Sequence, residues 1–267
     1  MRDTMVAEFS LRTRRGLWVL SLVAALAGVF GWSCAVAAGL NDTGFTTCAD
    51  ASGATVSCTA ATAVQGQDAR YGRDAAAGTG ALTKVGGGAN GFDFTKISNS
   101  TANVPGVALA SSAALGTGAN DWGCTYDNTT GLMWEVKTTS GLRNAIWDYS
   151  WYSSNAATNG GDVGTLGGSQ CTTPGRCDTE KYTQDVNSVG MCGRNDWRMP
   201  TIRELFGLTR LSDGSIDGGY FPNSRGGYWS GTSYLSAFSN ALIAAGNNTS
   251  PLPKYRAQPV RLVRVGL

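Results

Sequence analysis

The cysteines constrain this chain more than any other feature. Seven occur in 267 residues: Cys34, Cys48, Cys58, Cys124, Cys171, Cys177 and Cys192. The first lies in a segment built to be removed. Arg12, Arg14 and Arg15 precede an uncharged run from Gly16 to Ala38, with Leu17, Val19, Leu20, Leu22, Val23 and Leu26 as its apolar centre. Small residues follow at Ala35, Ala37 and Ala38. A basic start, an apolar centre and an A-x-A site read as a secretory signal peptide over residues 1–38. The competing reading is a retained helix, because about 20 apolar residues span a bilayer. Cleavage near Ala37 or Ala38 leaves no membrane span. It also leaves six cysteines, an even count that reads as three disulfides formed in the periplasm, at the cell surface or outside the cell.

Six cysteines allow fifteen pairings in principle. Two local ones are favoured. Cys48 and Cys58 flank the turn-rich ADASGATVS, and Cys171 and Cys177 flank TTPGR, where Pro174-Gly175 makes a tight turn. Cys124 with Cys192 is what remains, a long-range bond. A Cys177–Cys192 bond is disfavoured, since a helix between them separates the cysteines by roughly 18 Å or more at about 1.5 Å per residue, beyond the Cα limit of about 7 Å.

Charge divides unevenly along the chain. Residues 1–38 carry four Arg against Asp3 and Glu8, so the 21 basic and 19 acidic residues of the whole leave 17 of each beyond residue 38. Residues 39–189 hold 8 basic and 13 acidic groups; residues 190–267 hold 9 and 4. A basic C-terminal third suits an anionic partner, but Arg stems also pack over apolar surface. Nothing in the pattern suggests nucleic-acid binding.

From Gly39 to about Asn120 the chain is rich in Gly, Ala and Thr, and Gly86-Gly87-Gly88 argues against continuous regular structure. With one strand at Phe92–Ile97 and one disulfide hairpin, residues 39–120 read as an irregular arm with too little apolar surface for its own core. At Asp121 aromatic residues become dense, and residues 121–267 read as the main domain. An Asx turn at Tyr126–Gly131 leads into a strand at Leu132–Val136, which carries Trp134. Asp178 caps a helix with Tyr182, Val186 and Val189 on its apolar face and Gly190 just past its end. Met191–Thr232 is the densest stretch. It holds a Trp197-Arg198-Met199-Pro200 turn, a capping box of Thr201 and Glu204 opening a second helix, and a strand at Tyr228–Thr232 bearing Trp229. Strands follow around Phe238–Ala244 and at Val260–Val265. Helices followed by antiparallel strands make an α+β domain.

Chemistry has few openings. The chain has no histidine, which removes Ser-His-Asp and Cys-His catalysis and the usual zinc enzymes. Glu135, Glu180 and Glu204 are the only Glu residues beyond residue 38; they read as strand surface, helix start and capping box. Asn195 and Asp196 read as a turn before a core Trp197, with Arg198 stacking or pairing nearby. Asp213 and Asp217 lack the EF-hand pattern. No cofactor or metal site follows. Trp147, Trp151 and Tyr152, with Arg225 and Arg256, are candidate ligand-facing residues, although burial is the commoner fate of an aromatic ring.

The segments CTYDNTTGLMWEVKT, YSWY, CDTEKYTQDVNSVGMCGRNDWRMPTIRELFGL, IDGGYFPNS, YWSGTSY and PVRLVRV resemble the Lcl C-terminal domain family of bacterial exported proteins, over roughly residues 121–267. The resemblance implies a C-type-lectin-like fold, two helices beside a mainly antiparallel sheet, with Leu132–Val136 pairing near Val260–Val265. It also implies an exported, non-enzymatic adhesion or binding protein of the envelope that recognises a glycan or another surface component. The alternatives are an assembly subunit of a surface complex that contacts its neighbours through the arm at residues 39–120, and an envelope hydrolase; a homo-oligomer is a further expected partner. No binding residue carries over from the family. The family's best-known member trimerises and binds sulfated glycosaminoglycans, but this chain lacks that protein's collagen-like tract.

Overall fold

A computed structural model describes residues 39, 41–100 and 103–267; the expected signal peptide, with Cys34, lies outside the described residues. In chain order the elements are β1 (Cys48–Ala49), β2 (Thr55–Val56), α1 (Gly72–Gly78), β3 (Phe94–Ser98), β4 (Ala108–Leu109), β5 (Trp122–Asp127) and β6 (Leu132–Glu135). Then come α2 (Thr179–Val189), α3 (Ile202–Gly207), β7 (Tyr228–Ser233), β8 (Asn240–Ala245), β9 (Asn248–Pro253) and β10 (Val263–Val265). The strands form a β1-β2 hairpin, a five-stranded sheet in the order β10-β6-β5-β3-β4, and a three-stranded sheet β7-β8-β9. Every pair of named strands is antiparallel, so the class is α+β as expected.

The five-stranded sheet is apolar on both faces, which is why its strands do not show a clean polar alternation. On β6, Met133 enters one core with Ile97, Tyr182, Val186, Trp197 and Trp229. Its neighbour Trp134 enters a second core with Phe92, Phe94, Leu205, Phe221 and Tyr228. The period of two sends successive residues to opposite faces. The β5–β6 turn is the expected Asx turn: Asp127 Oδ1 accepts from Thr129 N at 2.9 Å and Thr130 N at 3.2 Å. Gly131, at φ 72°, takes the left-handed position that closes it. β6 pairs with β10 in the register Trp134↔Val263.

The Gly-rich region departs from expectation. It is not an arm beside the domain, because β3 lies inside the sheet between β5 and β4. Phe92, Phe94 and Ile97 are fully buried. Low average apolarity misled the reading: a strand lodged between others borrows their apolar surface and needs little of its own. The seam continues at Gly193, whose φ of +69° places a would-be Cβ 1.8 Å from the Val104 oxygen, so only glycine fits. Thr43 O accepts from Leu211 N at 2.7 Å. Asp121 is therefore no domain boundary. Residues 72–78 add a third helix where two were expected.

α2 begins where Asp178 accepts from Lys181 N and ends at Gly190, φ 65°. Tyr182 and Val186 are buried, but Val189, the last residue of the helix and expected on its apolar face, is exposed. α3 opens with the full Thr201–Glu204 capping box. Trp197 is buried; its Nε1 donates to Met191 O at 3.0 Å. Asn187, not Asn195 or Asp196, holds its backbone, with bonds of 2.8 and 2.9 Å. Asp196 instead accepts from Arg264 Nε at 2.7 Å. Unforeseen was the β8–β9 hairpin around Gly246-Asn247, whose second strand carries Pro251 and Pro253. Prolines suit such an edge position, since they lack the donor that a further strand would need.

The disulfides are Cys48–Cys58, Cys124–Cys192 and Cys171–Cys177. Cys124–Cys192 ties β5 to the turn after α2 across 68 residues, whereas Cys171–Cys177 closes only 6. Chain entropy then assigns about 4 kcal/mol to the first and about 2 kcal/mol to the last. Urea unfolding of Cys124→Ala/Cys192→Ala and Cys171→Ala/Cys177→Ala is expected to reproduce that order.

Candidate functional site

A cleft of about 640 Å³ lies between α2 and the Trp-Arg-Met-Pro turn. One wall is the segment Trp151–Asn155, laced to the start of α2 by side chains. Thr179 Oγ1 accepts from Tyr152 N at 3.0 Å and donates to Tyr152 O at 2.8 Å. Glu180 accepts from Ser154 N at 2.6 Å and from the Ser154 hydroxyl. The facing wall is Arg198, Met199, Pro200 and Thr201, with Gly231 of β7 behind it. It is rigid because Arg198 is joined to β10, its N–H and carbonyl pairing with Val263 at 2.9 and 3.0 Å.

Arg198 spans the outer side of this wall. Its guanidinium donates twice to the Glu204 carboxylate, at 2.9 and 2.6 Å. Burial pushes the Glu204 carboxyl up, but the Arg198 and Thr201 donors together outweigh it and hold it below its ordinary value. Beneath the opposite wall, the Lys254 ammonium is buried 4.2 Å above the Trp151 ring. It donates to Asn159 O at 2.8 Å and Asp162 O at 2.5 Å. The loop after Asn155 is thereby clamped from within.

The five aromatic and basic candidates separate. Tyr152 is half-buried and lines the cleft. Trp151 also borders it, but is only 2% exposed, with Nε1 donating to Ser230 O at 2.8 Å and a face covered by Lys254; it is a wall and not a stacking platform. Trp147 lies elsewhere, half-buried, donating to Gly141 O at 3.0 Å. Arg225 is paired with Asp148 at 2.8 Å, and Arg256 is exposed beside the Tyr255 ring; neither borders the cleft. Gln184, Asn155 and Thr183 do border it, and only their exposure would have singled them out. The Asp213–Arg225 loop borders a separate recess of about 290 Å³ at Gly214–Ile216 and Ser224–Gly226. Asp213 and Asp217 are spent on the backbone N–H groups of Ser215 and Gly219.

Carboxylates suited to hydrolysis are engaged elsewhere. Glu135 is not on a strand surface but fully buried. Its carboxylate accepts from Lys137 Nζ at 2.8 Å, from the Tyr182 hydroxyl, and from Leu262 N at 2.9 Å. Burial pushes the Lys137 ammonium down, against the pull of Glu135, and pushes the Tyr182 phenol up. The carboxylates of Asp42, Asp68 and Asp74 also converge, a cluster the sequence spacing did not reveal. Asp74 is buried and bonded to Gly44 N and Gly91 N, at 2.6 and 2.7 Å, so it stitches the early segments together.

An α+β domain stapled by disulfides, with a mixed polar and apolar cleft beside its longest helix, defines the class. The family model for the Lcl C-terminal domain matches residues 123–264, and the chain belongs to that family. No curated protein and no solved structure matches the chain. Kinship with C-type lectins thus stays an expectation of the resemblance. The family and the three disulfides mark an exported protein. No helix among the described residues is long and apolar enough to cross a membrane.

Removing one member of the buried Glu135–Lys137 pair is expected to cost about 3–5 kcal/mol. Glu135→Gln tests this in chemical denaturation, and adding Lys137→Met to it is expected to recover part of the loss.

Proposed function

We propose that this exported protein is a non-enzymatic binding or adhesion protein of the envelope whose ligand is an uncharged glycan held in the cleft beside α2. The observation that carries the reading is the composition of that cleft. The half-buried Tyr152 ring offers a face for sugar C–H groups, while Gln184, Asn155 and Thr183 supply amide and hydroxyl partners. Its volume of about 640 Å³ falls in the range of ligand sites. Its one base, Arg198, is paired with Glu204, and its one acid, Glu180, is bonded only to neutral Ser154 donors, so the cleft has no free positive charge to attract a sulfated chain. The absence of histidine and the engagement of Glu135, Glu180 and Glu204 in packing or caps support a non-enzymatic reading.

A glycan array followed by titration calorimetry tests the proposal. Binding to a neutral glycan, weakened about tenfold or more (1.4 kcal/mol) by Tyr152→Ala and by Gln184→Ala, and unchanged by Arg256→Ala, is the expected result. Full retention in both cleft variants, or binding that appears only on a heparin column at low salt, overturns it.

A second reading, an assembly subunit, is favoured by one surface. Leu235, Phe238 and Tyr255 are 84%, 62% and 60% exposed. Phe238 and Tyr255 lie together because Lys254 N donates to Ser239 O at 2.8 Å. Oligomerisation through this tip predicts a concentration-dependent mass in light scattering that Leu235→Ser/Phe238→Ser reduces to the monomer. A wild-type monomer at every concentration excludes it.

A further inference from the structure

A second cavity of about 380 Å³ lies against α3, bounded by Leu132 and Trp134 of β6, Phe206 and Gly207 of α3, Leu211, and the segment Asn41–Thr43. Its walls are mainly apolar. What distinguishes it is unmet hydrogen bonding. Among the described residues five buried side-chain polar atoms lack a partner, and two of them, Trp134 Nε1 and Asn41 Oδ1, belong to residues that line this cavity, with a third, Thr129 Oγ1, close by. Trp134 and Asn41 line the cavity, and Thr129 lies between two residues of the β5–β6 turn that also border it, Asp127 and Thr130.

The Trp134 indole stands alone in this respect. The other five described indoles, of Trp122, Trp147, Trp151, Trp197 and Trp229, each donate to a backbone carbonyl. Trp134 is 1% exposed and donates to nothing. The Asn41 amide is not simply reversed. Its nitrogen donates to Asp127 Oδ2 at 2.5 Å and to Gly207 O at 3.1 Å, both acceptors, which fixes its oxygen as the free end. Buried polar groups without partners are rare in folded proteins and call for a missing one.

We infer that this cavity is a second ligand site, for a small uncharged molecule with an apolar ring or branched body and an amide or alcohol head. The head's oxygen accepts from Trp134 Nε1, and its N–H or O–H donates to Asn41 Oδ1. Leu132, Phe206 and Leu211 enclose the body. Anions are disfavoured, because the lining holds three carboxylates, Asp42, Asp127 and Glu204, against the single Arg203. The site is independent of the cleft beside α2, which shares no lining residue with it. It also depends on Gly39 and residues 41–43, which precede the family domain at residues 123–264. The recognition belongs to this chain's own N-terminal segment joined to the domain.

Benzamide is the probe, followed in a ¹H–¹⁵N spectrum of the intact chain, with the Trp134 indole peak assigned by its loss in Trp134→Phe. That peak is expected to shift saturably while the other indole peaks stay put, and benzoate is expected to bind at least tenfold more weakly. Gly207→Leu, placed where a side chain meets no atom within 4 Å, fills the space and is expected to abolish the shift. Trp134→Phe removes a donor that has no partner and some packing volume, so it is expected to fold with a modest loss of stability while binding benzamide about tenfold more weakly, read from ligand-observed saturation transfer. No saturable shift, equal binding of benzoate, or full binding in Gly207→Leu overturns the inference, the cavity then holding only water. Failure of these probes leaves the cleft variants Tyr152→Ala and Gln184→Ala as separate tests of the glycan reading.

Discussion

The fold hangs on a carboxylate with no exposure to solvent. Glu135 closes β6 and binds three elements at once: Lys137 beyond the strand end, the Tyr182 hydroxyl on α2, and Leu262 N just before β10. Its carbonyl accepts from Arg261 at 2.8 Å, and Arg261 reaches on to Ser224 and to Tyr228 of β7. One residue thus links the five-stranded sheet, the longest helix and the second sheet. Burying such a group is costly unless every lone pair is used. Here the bonds converge from parts of the chain that are far apart in sequence. The network specifies a single mutual arrangement of helix and sheets, which oily contacts alone would not fix so narrowly.

Two cores, one on each face of the five-stranded sheet, follow from that arrangement. Strand β3 is needed for both, with Ile97 in one and Phe94 in the other. The segment before residue 121 therefore belongs to the folding unit, and the cleft and the second cavity share no lining residue.

Much of the local structure was legible. The Asp178 cap, the Thr201–Glu204 box and the Gly190 terminus are written in residues that do their work within four positions of one another. Cysteine spacing narrowed the pairing for a similar reason, since two of the three bonds close short turn-rich loops. What failed was long-range. Glu135 has the same letter whether it faces water or an ammonium, and only the meeting of β6, α2 and the last strand decides which. Phe92–Ile97 read as a strand, but its place inside the sheet is a property of its partners. The cleft was half legible: Tyr152 was picked out as an aromatic, whereas Gln184 has no signature until α2 is set against Trp151–Asn155.

Lys254 carries a consequence for how the cleft is maintained. Carbonyl oxygens gathered from a surface loop are the usual lodging for a hard metal ion. In this protein the carbonyls of Asn159 and Asp162 already face a covalently attached cation. The loop is therefore fastened by a side chain of the same chain, through an ammonium that sits where a bound cation would otherwise be needed. An exported protein meets media that its cell does not control, and a tethered ammonium cannot be washed away.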